Sequence, residues 1–189
     1  MPAGSAKRVR HVHILCVALR RDLASLAEGE RKVAMSIATG LKTLLDENHI
    51  PYSAVPHTTT YTAQGTAATM KISGRELAKT VVLRAGDETI LAVLPAAHHA
   101  SLDKLSNLLG KPVRLAMEQE FINLFPDCEL GAMPPFGSLY HLPVYVDESL
   151  AADEEIFFNA GTHREAIRMR YEDFARLAKP TVGSFARKN

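Results

Sequence analysis

The sequence predicts a mixed α/β fold in which helices flank a mixed, curved β-sheet. Short apolar segments with strand composition alternate with segments whose apolar residues recur at helical spacing. The connections between these segments are too irregular for a doubly wound parallel sheet. The chain has 189 residues and is 47% hydrophobic, which is enough to bury one sizeable core.

The first predicted elements are two helices separated by a short extended run. In "SIATGLKTLLDENHI", the side chains of Ile37, Leu41, Leu44 and Leu45 share one helical face. The run "PYSAVPH" is bounded by prolines and is expected to be extended. "TAQGTAATM" indicates a short second helix with Thr62 as its N-cap, although its glycine lowers helix propensity.

A β-hairpin and a third helix follow. "KTVVLRAGDETILAVLPA" contains two apolar strands, Thr80–Arg84 and Thr89–Leu94, on either side of an "AGDE" turn. "SLDKLSNLLG" predicts a helix that is capped by Ser101 and closed by Gly110.

The rest of the chain is predicted to contain four strands and two helices. "PVRLA" is expected to be a strand, and "EQEFINLF" a helix that ends at Pro126. After the segment "GAMPPFG", the predicted strands are Val144–Val146, Glu155–Asn159 and Ala166–Arg170. "YEDFARLA" predicts a final helix that ends before Pro180.

Residues 1–34 differ in composition from the rest of the chain. They carry seven Lys or Arg and three acidic residues, a net charge of +4, whereas the remainder carries −3. The Arg-rich start superficially resembles an organelle transit peptide, while "EGERK" before Met35 suggests a translated upstream region. We therefore expect residues 1–34 to be an extension of uncertain role, either disordered or a start-site artefact. The functional domain is expected over residues 35–184.

Composition excludes several classes of function. Residues 35–189, with a net charge of −3, lack the broad positive surface of a non-specific nucleic-acid binder, so nucleic-acid contacts should be local and DNA is not expected. No apolar run approaches the roughly 20 residues that span a bilayer, so no membrane partner is expected. Cys16 and Cys128 form no C-x-x-C pair, which disfavours a disulfide framework or a zinc site and favours a reducing cytoplasm.

Candidate metal and nucleophilic residues give weak signals. His98 and His99 are expected in a turn before a helix and, without a third ligand at suitable spacing, are interpreted as solvated. Cys128 with His141 or His163 could supply a thiol nucleophile and a base, but a cysteine beside apolar residues is more often inert. The sequence has no G-x-S-x-G, Walker A or G-x-G-x-x-G motif. We expect neither a metal nor a cofactor.

The segment "GAMPPFG" (Gly131–Gly137) has an unusual composition. Its prolines fix φ and lack N–H donors, while its glycines permit positive φ and close approach by another backbone. Such a segment is neither a helix interior nor a central strand, and its apolar middle is unlike a solvated turn. It predicts a stiff loop, with a tight structural turn as the alternative.

Lys79 and two glycine-containing loops form a candidate site. Lys79 immediately precedes an apolar strand, so its ammonium is expected at the strand's end, beside "GAMPPFG" and "NAGTH" (Asn159–His163). One cation with rigid backbone donors suits an anionic or ester-bearing ligand. The alternative is that Lys79 is a solvated residue at a strand edge.

These segments, in this order, resemble the YbaK/prolyl-tRNA-synthetase-associated editing domain family. The resemblance covers roughly residues 35–178 and is carried by "HTTTYTAQGTAATM", the "KTVVL…ILAVLPA" hairpin, "GAMPPFG" and "FFNAGTH". It implies a curved, barrel-like sheet and hydrolysis, in trans, of the ester of a mischarged aminoacyl-tRNA. The implied partners are the aminoacyl-tRNA acceptor end and an aminoacyl-tRNA synthetase.

The resemblance also assigns roles by position. Lys79 matches a lysine thought to engage the terminal adenosine or its phosphate, and the glycine-proline loop matches one whose backbone holds the aminoacyl carbonyl. The third motif, with Gly161 and His163, varies between subfamilies. The implied catalytic residues are Lys79, Gly131 and Gly137, and the implied substrate-binding residues are Met133, Pro134, Pro135, Phe136, Gly161 and His163. Water attack assisted by the substrate's own ribose hydroxyl is implied, with no protein nucleophile.

The loop then has a chemical explanation, and two other functions stay open. A tetrahedral oxyanion needs donors that are fixed before the reaction. Met133 or Phe136 is expected to wall a pocket for a small amino acid, such as alanine, cysteine, serine or threonine. The alternatives are a non-catalytic module that holds a tRNA acceptor end or a synthetase, and an ester or amide hydrolase that uses Cys128.

Overall fold

The computed structural model describes residues 37–188, which form a mixed α/β arrangement. The helices are α1 (Thr39–Glu47), α2 (Ala63–Met70), α3 (Leu102–Leu109), α4 (Glu118–Phe121), α5 (Glu148–Ala151) and α6 (Tyr171–Ala178), with 3₁₀ turns at Ile122–Leu124 and Gly137–Leu139. The strands are β1 (Tyr52–Pro56), β2 (Ala78–Ala85), β3 (Glu88–Pro95), β4 (His98–Ala100), β5 (Val113–Leu115), β6 (Val144–Asp147), β7 (Glu155–Thr162), β8 (Glu165–Arg170), β9 (Thr181–Gly183) and β10 (Ala186–Lys188). The expectation for residues 1–34 lies outside the described residues.

The strands form three sheets. A five-stranded sheet has the order β5-β2-β3-β6-β9, with an antiparallel β2–β3 hairpin and parallel β3–β6 and β6–β9 pairs. A three-stranded antiparallel sheet has the order β1-β8-β7, and β4 pairs with β10. An isolated bridge between Leu77 and Phe157 joins the segment before β2 to β7. The predicted mixed α/β class is confirmed. The sheets of residues 37–188 do not close into a barrel, so the barrel-like description is not confirmed.

Local sequence signals explain the ends of the helices. The Thr62 hydroxyl accepts the backbone N–H of Gly65 at the start of α2, and the Ser101 hydroxyl accepts that of Lys104 at the start of α3. Gly110 ends α3 in the left-handed conformation that favours glycine. No helix within residues 37–188 is both long and apolar enough to cross a membrane.

Strand β2 separates two apolar clusters, because alternate residues of a strand face opposite sides of the sheet. Val82 faces the larger cluster, which also contains Met133 and Phe136. Leu83 faces the smaller cluster, which contains Leu105 of α3. The side that a β2 residue faces therefore decides whether it can reach the Gly131–Gly137 loop.

Several elements differ from the sequence prediction. His98 and His99 lie in strand β4 rather than in a turn, because this short segment pairs with β10. The segment "EQEFINLF" is an α-helix only over Glu118–Phe121 and then continues as a 3₁₀ turn. Helix α5 and strands β9 and β10 were not predicted.

A buried carboxylate holds the C-terminal segment against β6. Asp147 is 2% exposed and accepts hydrogen bonds from the Ser149 N–H and hydroxyl and from the N–H groups of Phe185 and Ala186. Burial alone would raise the pKa of Asp147, but these hydrogen bonds outweigh it and leave the pKa below its ordinary value. The ionised carboxylate is therefore the form that stabilises the fold.

We predict that Asp147→Ala lowers the free energy of unfolding by about 2–4 kcal/mol, because N–H groups near the core lose their acceptor. A carboxyl whose folded pKa is lowered contributes stability above its ordinary value of 3.8, and this contribution is lost as the pH falls through the folded value. The destabilisation should therefore shrink in acid. Chemical denaturation at about pH 7 and about pH 3 measures it. The exposed neighbour variant Glu148→Ala is the control, and an equal loss in both variants would contradict the role of Asp147.

Candidate functional site

The Gly131–Gly137 loop is mostly buried. Phe136 is fully buried and packs edge-to-face against Phe158 and Phe174, with ring centroids 5.6 and 5.3 Å apart. Pro134 and Pro135 are buried as well. This placement does not agree with the expectation that Phe136 walls an open amino-acid pocket, because its ring belongs to the core.

The two glycines that bound the loop have different surroundings. A Cβ atom at Gly137 would lie 2.1 Å from the Leu142 carbonyl oxygen and 2.6 Å from Val144 Cγ2, so glycine is required there by packing within the protein. Gly131 is exposed and has a φ of +86°, and a Cβ atom there would lie 3.5 Å from His163 Cε1. Of the two, Gly131 is the one that a ligand can approach.

Backbone hydrogen bonds join the start of the loop to β7. The Glu129 N–H donates to the Gly161 carbonyl at 2.8 Å, and the Gly161 N–H donates to the Ala132 carbonyl at 3.0 Å. Gly161 has a φ of +104° where the β7–β8 register shifts, and a Cβ atom there would lie 2.7 Å from Ala38 Cβ. The loop and the third sequence motif therefore form one rigid unit.

His163 is the side chain that this unit places beside Gly131. Its backbone N–H donates to a carboxylate oxygen of Glu129 at 2.7 Å, and its ring Nε2 lies 2.8 Å from the Leu130 carbonyl oxygen. Because a carbonyl oxygen only accepts, Nε2 carries the proton and Nδ1 is an unprotonated acceptor in the neutral ring. His163 is 7% exposed, and Nδ1 has no hydrogen-bond partner among residues 37–188.

An open cleft of about 590 Å³ lies next to this unit. Its lining residues are Thr59, Tyr61, Glu129, Leu130, His163 and Arg164. The Arg164 guanidinium lies 3.3 Å from the Glu129 carboxylate, so the two opposite charges on the cleft wall offset each other. The cleft therefore combines aromatic, hydroxyl and paired charged groups next to an exposed glycine.

The N–H of Gly131 has a weak acceptor. It donates to the sulfur of Met133 at 3.2 Å, and a thioether is a poor hydrogen-bond acceptor that a ligand oxygen can replace. Met133 also lines a small apolar cavity of about 90 Å³ beside the cleft, together with Phe121, Ile122, Phe125, Cys128 and Leu130. Met133 therefore accepts the Gly131 N–H and also lines the small apolar cavity.

Lys79 does not lie beside the loop, contrary to the sequence expectation. Because side chains alternate along a strand, Lys79 lies on the same side of β2 as Val81 and Leu83, which face the smaller cluster. The loop packs on the other side of β2. The Lys79 ammonium donates to the carbonyl oxygens of Ala96 at 3.3 Å and His98 at 2.5 Å, and burial lowers its pKa. It lines a second pocket of about 460 Å³ with Val81, His99, Ala100, Ser101, Leu102, Asp103, Leu115 and Arg187.

In the described part of the chain, Cys128 has no histidine among its hydrogen-bond partners. Its sulfur lies 3.2 Å from the Tyr140 hydroxyl and 3.6 Å from an Asp127 carboxylate oxygen. Burial raises the pKa of the Cys128 thiol to about 12, so it is protonated at neutral pH and is a poor nucleophile. Within residues 37–188, no group of three or more His, Cys, Asp or Glu side chains is arranged to hold a metal ion.

Comparison with known families identifies the class of protein. Residues 57–177 match the model of the family described as the aminoacyl-tRNA editing domain. This match covers more than half of the chain, so the protein belongs to the aminoacyl-tRNA editing domain family, as the sequence motifs indicated.

The chain is also similar to individual proteins. It is 32% identical over 103 residues to the Multifunctional Ser/Thr-tRNA deacylase ProXp-y of Escherichia coli (strain K12). The aligned residues make up 53% of this chain and 61% of the relative. The chain thus spans less than two thirds of the length of the curated relatives it matches.

Solved structures share the fold. A crystal structure of a hypothetical protein has a TM-score of 0.71 at 18% identity, covering 78% of this chain and 99% of the other. A crystal structure of a candidate trans-editing enzyme for prolyl tRNA synthetase has a TM-score of 0.69 at 24% identity, covering 79% of this chain and 96% of the other. At these identities the likeness establishes the fold alone.

Five residues of the cleft were not predicted from the sequence, namely Thr59, Tyr61, Glu129, Leu130 and Arg164. They come from three parts of the chain: the segment before α2 holds Thr59 and Tyr61, the segment before the loop holds Glu129 and Leu130, and the β7–β8 turn holds Arg164. Tyr61 lies in "HTTTYT", one of the segments that carried the family resemblance, and Glu129 lies two residues before Gly131. Neither residue has a local pattern that distinguishes it from an ordinary surface side chain.

We predict that alanine destabilises the fold more at Gly137 than at Gly131. Gly137→Ala should lower the free energy of unfolding by about 3 kcal/mol, because its Cβ atom overlaps the Leu142 carbonyl oxygen. Gly131→Ala should cost only about 1–2 kcal/mol for its left-handed φ and should stay folded. Thermal denaturation of both variants measures the difference. A Gly137→Ala variant as stable as the wild type would show that the loop is not tied to the core.

Proposed function

We propose that the protein is a trans-acting aminoacyl-tRNA deacylase, which hydrolyses the ester of a mischarged tRNA that carries a small amino acid. The observation that carries the proposal is the match of residues 57–177 to the editing-domain family. The relative ProXp-y is named a Ser/Thr-tRNA deacylase, which supports an aminoacyl-tRNA ester as the substrate class. The proposed partner is the tRNA acceptor end in the cytoplasm, with a synthetase as a further partner.

The Gly131 amide is the proposed donor to the aminoacyl carbonyl. Its N–H is held by the Met133 sulfur, a weak acceptor, and its position is fixed by the buried loop and by the bonds to Gly161. A carbonyl oxygen that replaces the sulfur would find the donor already in place. Donors fixed before the reaction stabilise a developing oxyanion without a reorganisation cost.

The small cavity beside Met133 supports a small amino acid as the substrate. At about 90 Å³, this space is several times smaller than the neighbouring cleft of about 590 Å³. Such a pocket excludes large side chains sterically, whereas it separates side chains that differ by one methylene by only ~1–3 kcal/mol. The proposed substrates therefore form a group of small amino acids rather than one.

The proposed reaction uses no protein nucleophile. The Cys128 thiol is protonated at neutral pH, which argues against the alternative of a cysteine-dependent ester or amide hydrolase. Water would add to the carbonyl carbon, and the ester bond would break with the ribose hydroxyl as the leaving group. The substrate's other ribose hydroxyl would assist the water, as the family resemblance implies.

A non-catalytic module of the same fold is the second candidate. Membership of the family and a fixed Gly131 amide are also compatible with a protein that only binds an acceptor end or a synthetase. Turnover separates the two functions, because only an enzyme releases the amino acid.

We predict that the protein releases alanine, serine, threonine or cysteine from mischarged tRNA and leaves tRNA charged with phenylalanine intact. The physical reason is the small size of the cavity at Met133. Release of labelled amino acid from a panel of charged tRNAs measures the activity. The Cys128→Ser variant tests the cysteine-dependent alternative. Because serine nearly matches cysteine in size, the cavity that Cys128 lines keeps its volume, and release of these amino acids should persist. Binding of charged tRNA without release from any member of the panel would favour the non-catalytic module.

We predict that Lys79→Ala lowers deacylation by about ten- to a hundredfold. Two carbonyl oxygens occupy two of its three N–H donors, which leaves one for a phosphate or ribose oxygen of a part of the tRNA that reaches the second pocket, away from Gly131. A charge-assisted contact of this kind contributes roughly 1.5–3 kcal/mol. Lys79→Arg should recover only part of the activity, since a planar guanidinium replaces a compact ammonium.

Steady-state kinetics with circular dichroism of each variant measures activity and folding together. Lys111→Ala is the matched control, because Lys111 is an exposed lysine paired with Glu88. Wild-type deacylation by a folded Lys79→Ala variant would reassign Lys79 to a structural role at the end of β2.

A further inference from the structure

We infer that Tyr61 is a stacking platform for an unpaired base of the tRNA acceptor end, a role that rests on the proposed function. Tyr61 is 79% exposed, the highest value among the large exposed apolar side chains of residues 37–188. Its ring therefore offers an apolar face that a ligand can remove from water. Proteins that bind single-stranded nucleic acid use such rings to stack on bases.

The backbone on both sides of Tyr61 is fixed. The Thr60 N–H donates to the His163 carbonyl at 3.3 Å, and the Thr60 hydroxyl lies 2.7 Å from the Thr66 hydroxyl of α2. On the other side, Thr62 caps α2. Tyrosine has only two side-chain torsions, so a ring on an anchored backbone loses little entropy when a ligand stacks on it.

The ring position is further set by His163. The two ring centroids lie 5.0 Å apart with an angle of 61° between the ring planes, an edge contact. This contact supports the tyrosine from one direction while most of its surface stays open to solvent. A planar group can therefore reach the Tyr61 ring without a change in the core.

The charges of the cleft favour a base over a phosphate. Arg164 is paired with Glu129, so the cleft offers no unpaired cation among its lining residues in the described part of the chain. A nucleobase is neutral, and the exocyclic amine of adenine or cytosine can donate to a carboxylate such as that of Glu129. Since residues 35–189 carry a net charge of −3, affinity from non-electrostatic contacts is of particular value.

The platform lies at a suitable place relative to the proposed ester site. Tyr61 contacts His163, and His163 Cε1 lies 3.5 Å from where a Cβ atom of Gly131 would be. The stacked base is therefore separated from the Gly131 amide by the width of one side chain. This spacing matches a nucleotide at the end of the strand that bears the ester.

Steady-state deacylation by Tyr61→Ala and Tyr61→Phe tests the inference. Stacking away from the ester stabilises ground state and transition state equally, so Tyr61→Ala should raise KM roughly five- to a hundredfold with kcat nearly unchanged. Tyr61→Phe should behave as the wild type, because it keeps the ring. Leu108→Ala is the control for loss of an exposed apolar side chain, since Leu108 is 46% exposed on α3 and lines none of the clefts described above.

A binding measurement separates stacking from catalysis. An uncharged acceptor-stem RNA with a fluorescent adenine analogue at its 3′ end should be quenched by the wild type and by Tyr61→Phe, but not by Tyr61→Ala. Unchanged KM and unchanged quenching in Tyr61→Ala would overturn the inference, as would a loss confined to kcat. Absence of deacylation in the wild type would instead overturn the proposed function, and Tyr61-dependent quenching would then still support a stacking platform in a binding module.

Discussion

The two reciprocal hydrogen bonds between Gly161 and the segment Glu129–Ala132 set the geometry of the candidate site. They join a loop that is anchored in the core through Phe136 to a turn that carries His163. The Glu129 side chain adds a third connection through the His163 N–H. Gly131 lies between these attachments, and its amide is held in place by structure on both sides. The position of the cleft, the orientation of His163 and the support of Tyr61 all follow from this junction.

The same junction explains why the loop needs its particular composition. Glycine is needed at position 161 because the chain bulges there with a positive φ against Ala38, and at position 137 because the Leu142 carbonyl leaves no room for a Cβ atom. The prolines lie in buried positions, where their missing N–H donors leave no unsatisfied groups. The stiffness inferred from the sequence is therefore a property of packing as much as of the residues themselves.

Sequence reasoning succeeded where the cause of a structure is local. The caps at Thr62, Ser101 and Gly110 and the β2–β3 hairpin depend on neighbouring residues, and they are observed as predicted. It failed where pairing joins distant segments. Strand β4 exists because His98–Ala100 meets Ala186–Lys188, and neither three-residue segment has a strand pattern of its own. The candidate site divides in the same way, since the loop was recognised from its glycines and prolines, but its partner Glu129 was not. Lys79 lies on the opposite side of β2 from the loop because side chains alternate along the strand. The alternation can be read from the sequence, but the side on which the loop packs cannot.

The burial of Phe136 has a consequence for the motions of the loop. A segment that is anchored between two core phenylalanines can separate from the protein only when the core itself opens, so its buried amides should exchange with solvent as slowly as those of the central strands. The ligand-binding loops of many proteins belong instead to the units that open most readily. In this protein, both the Gly131 amide and the backbone around Tyr61 are anchored, so any adjustment to a substrate would come from exposed side chains of the cleft such as that of Arg164.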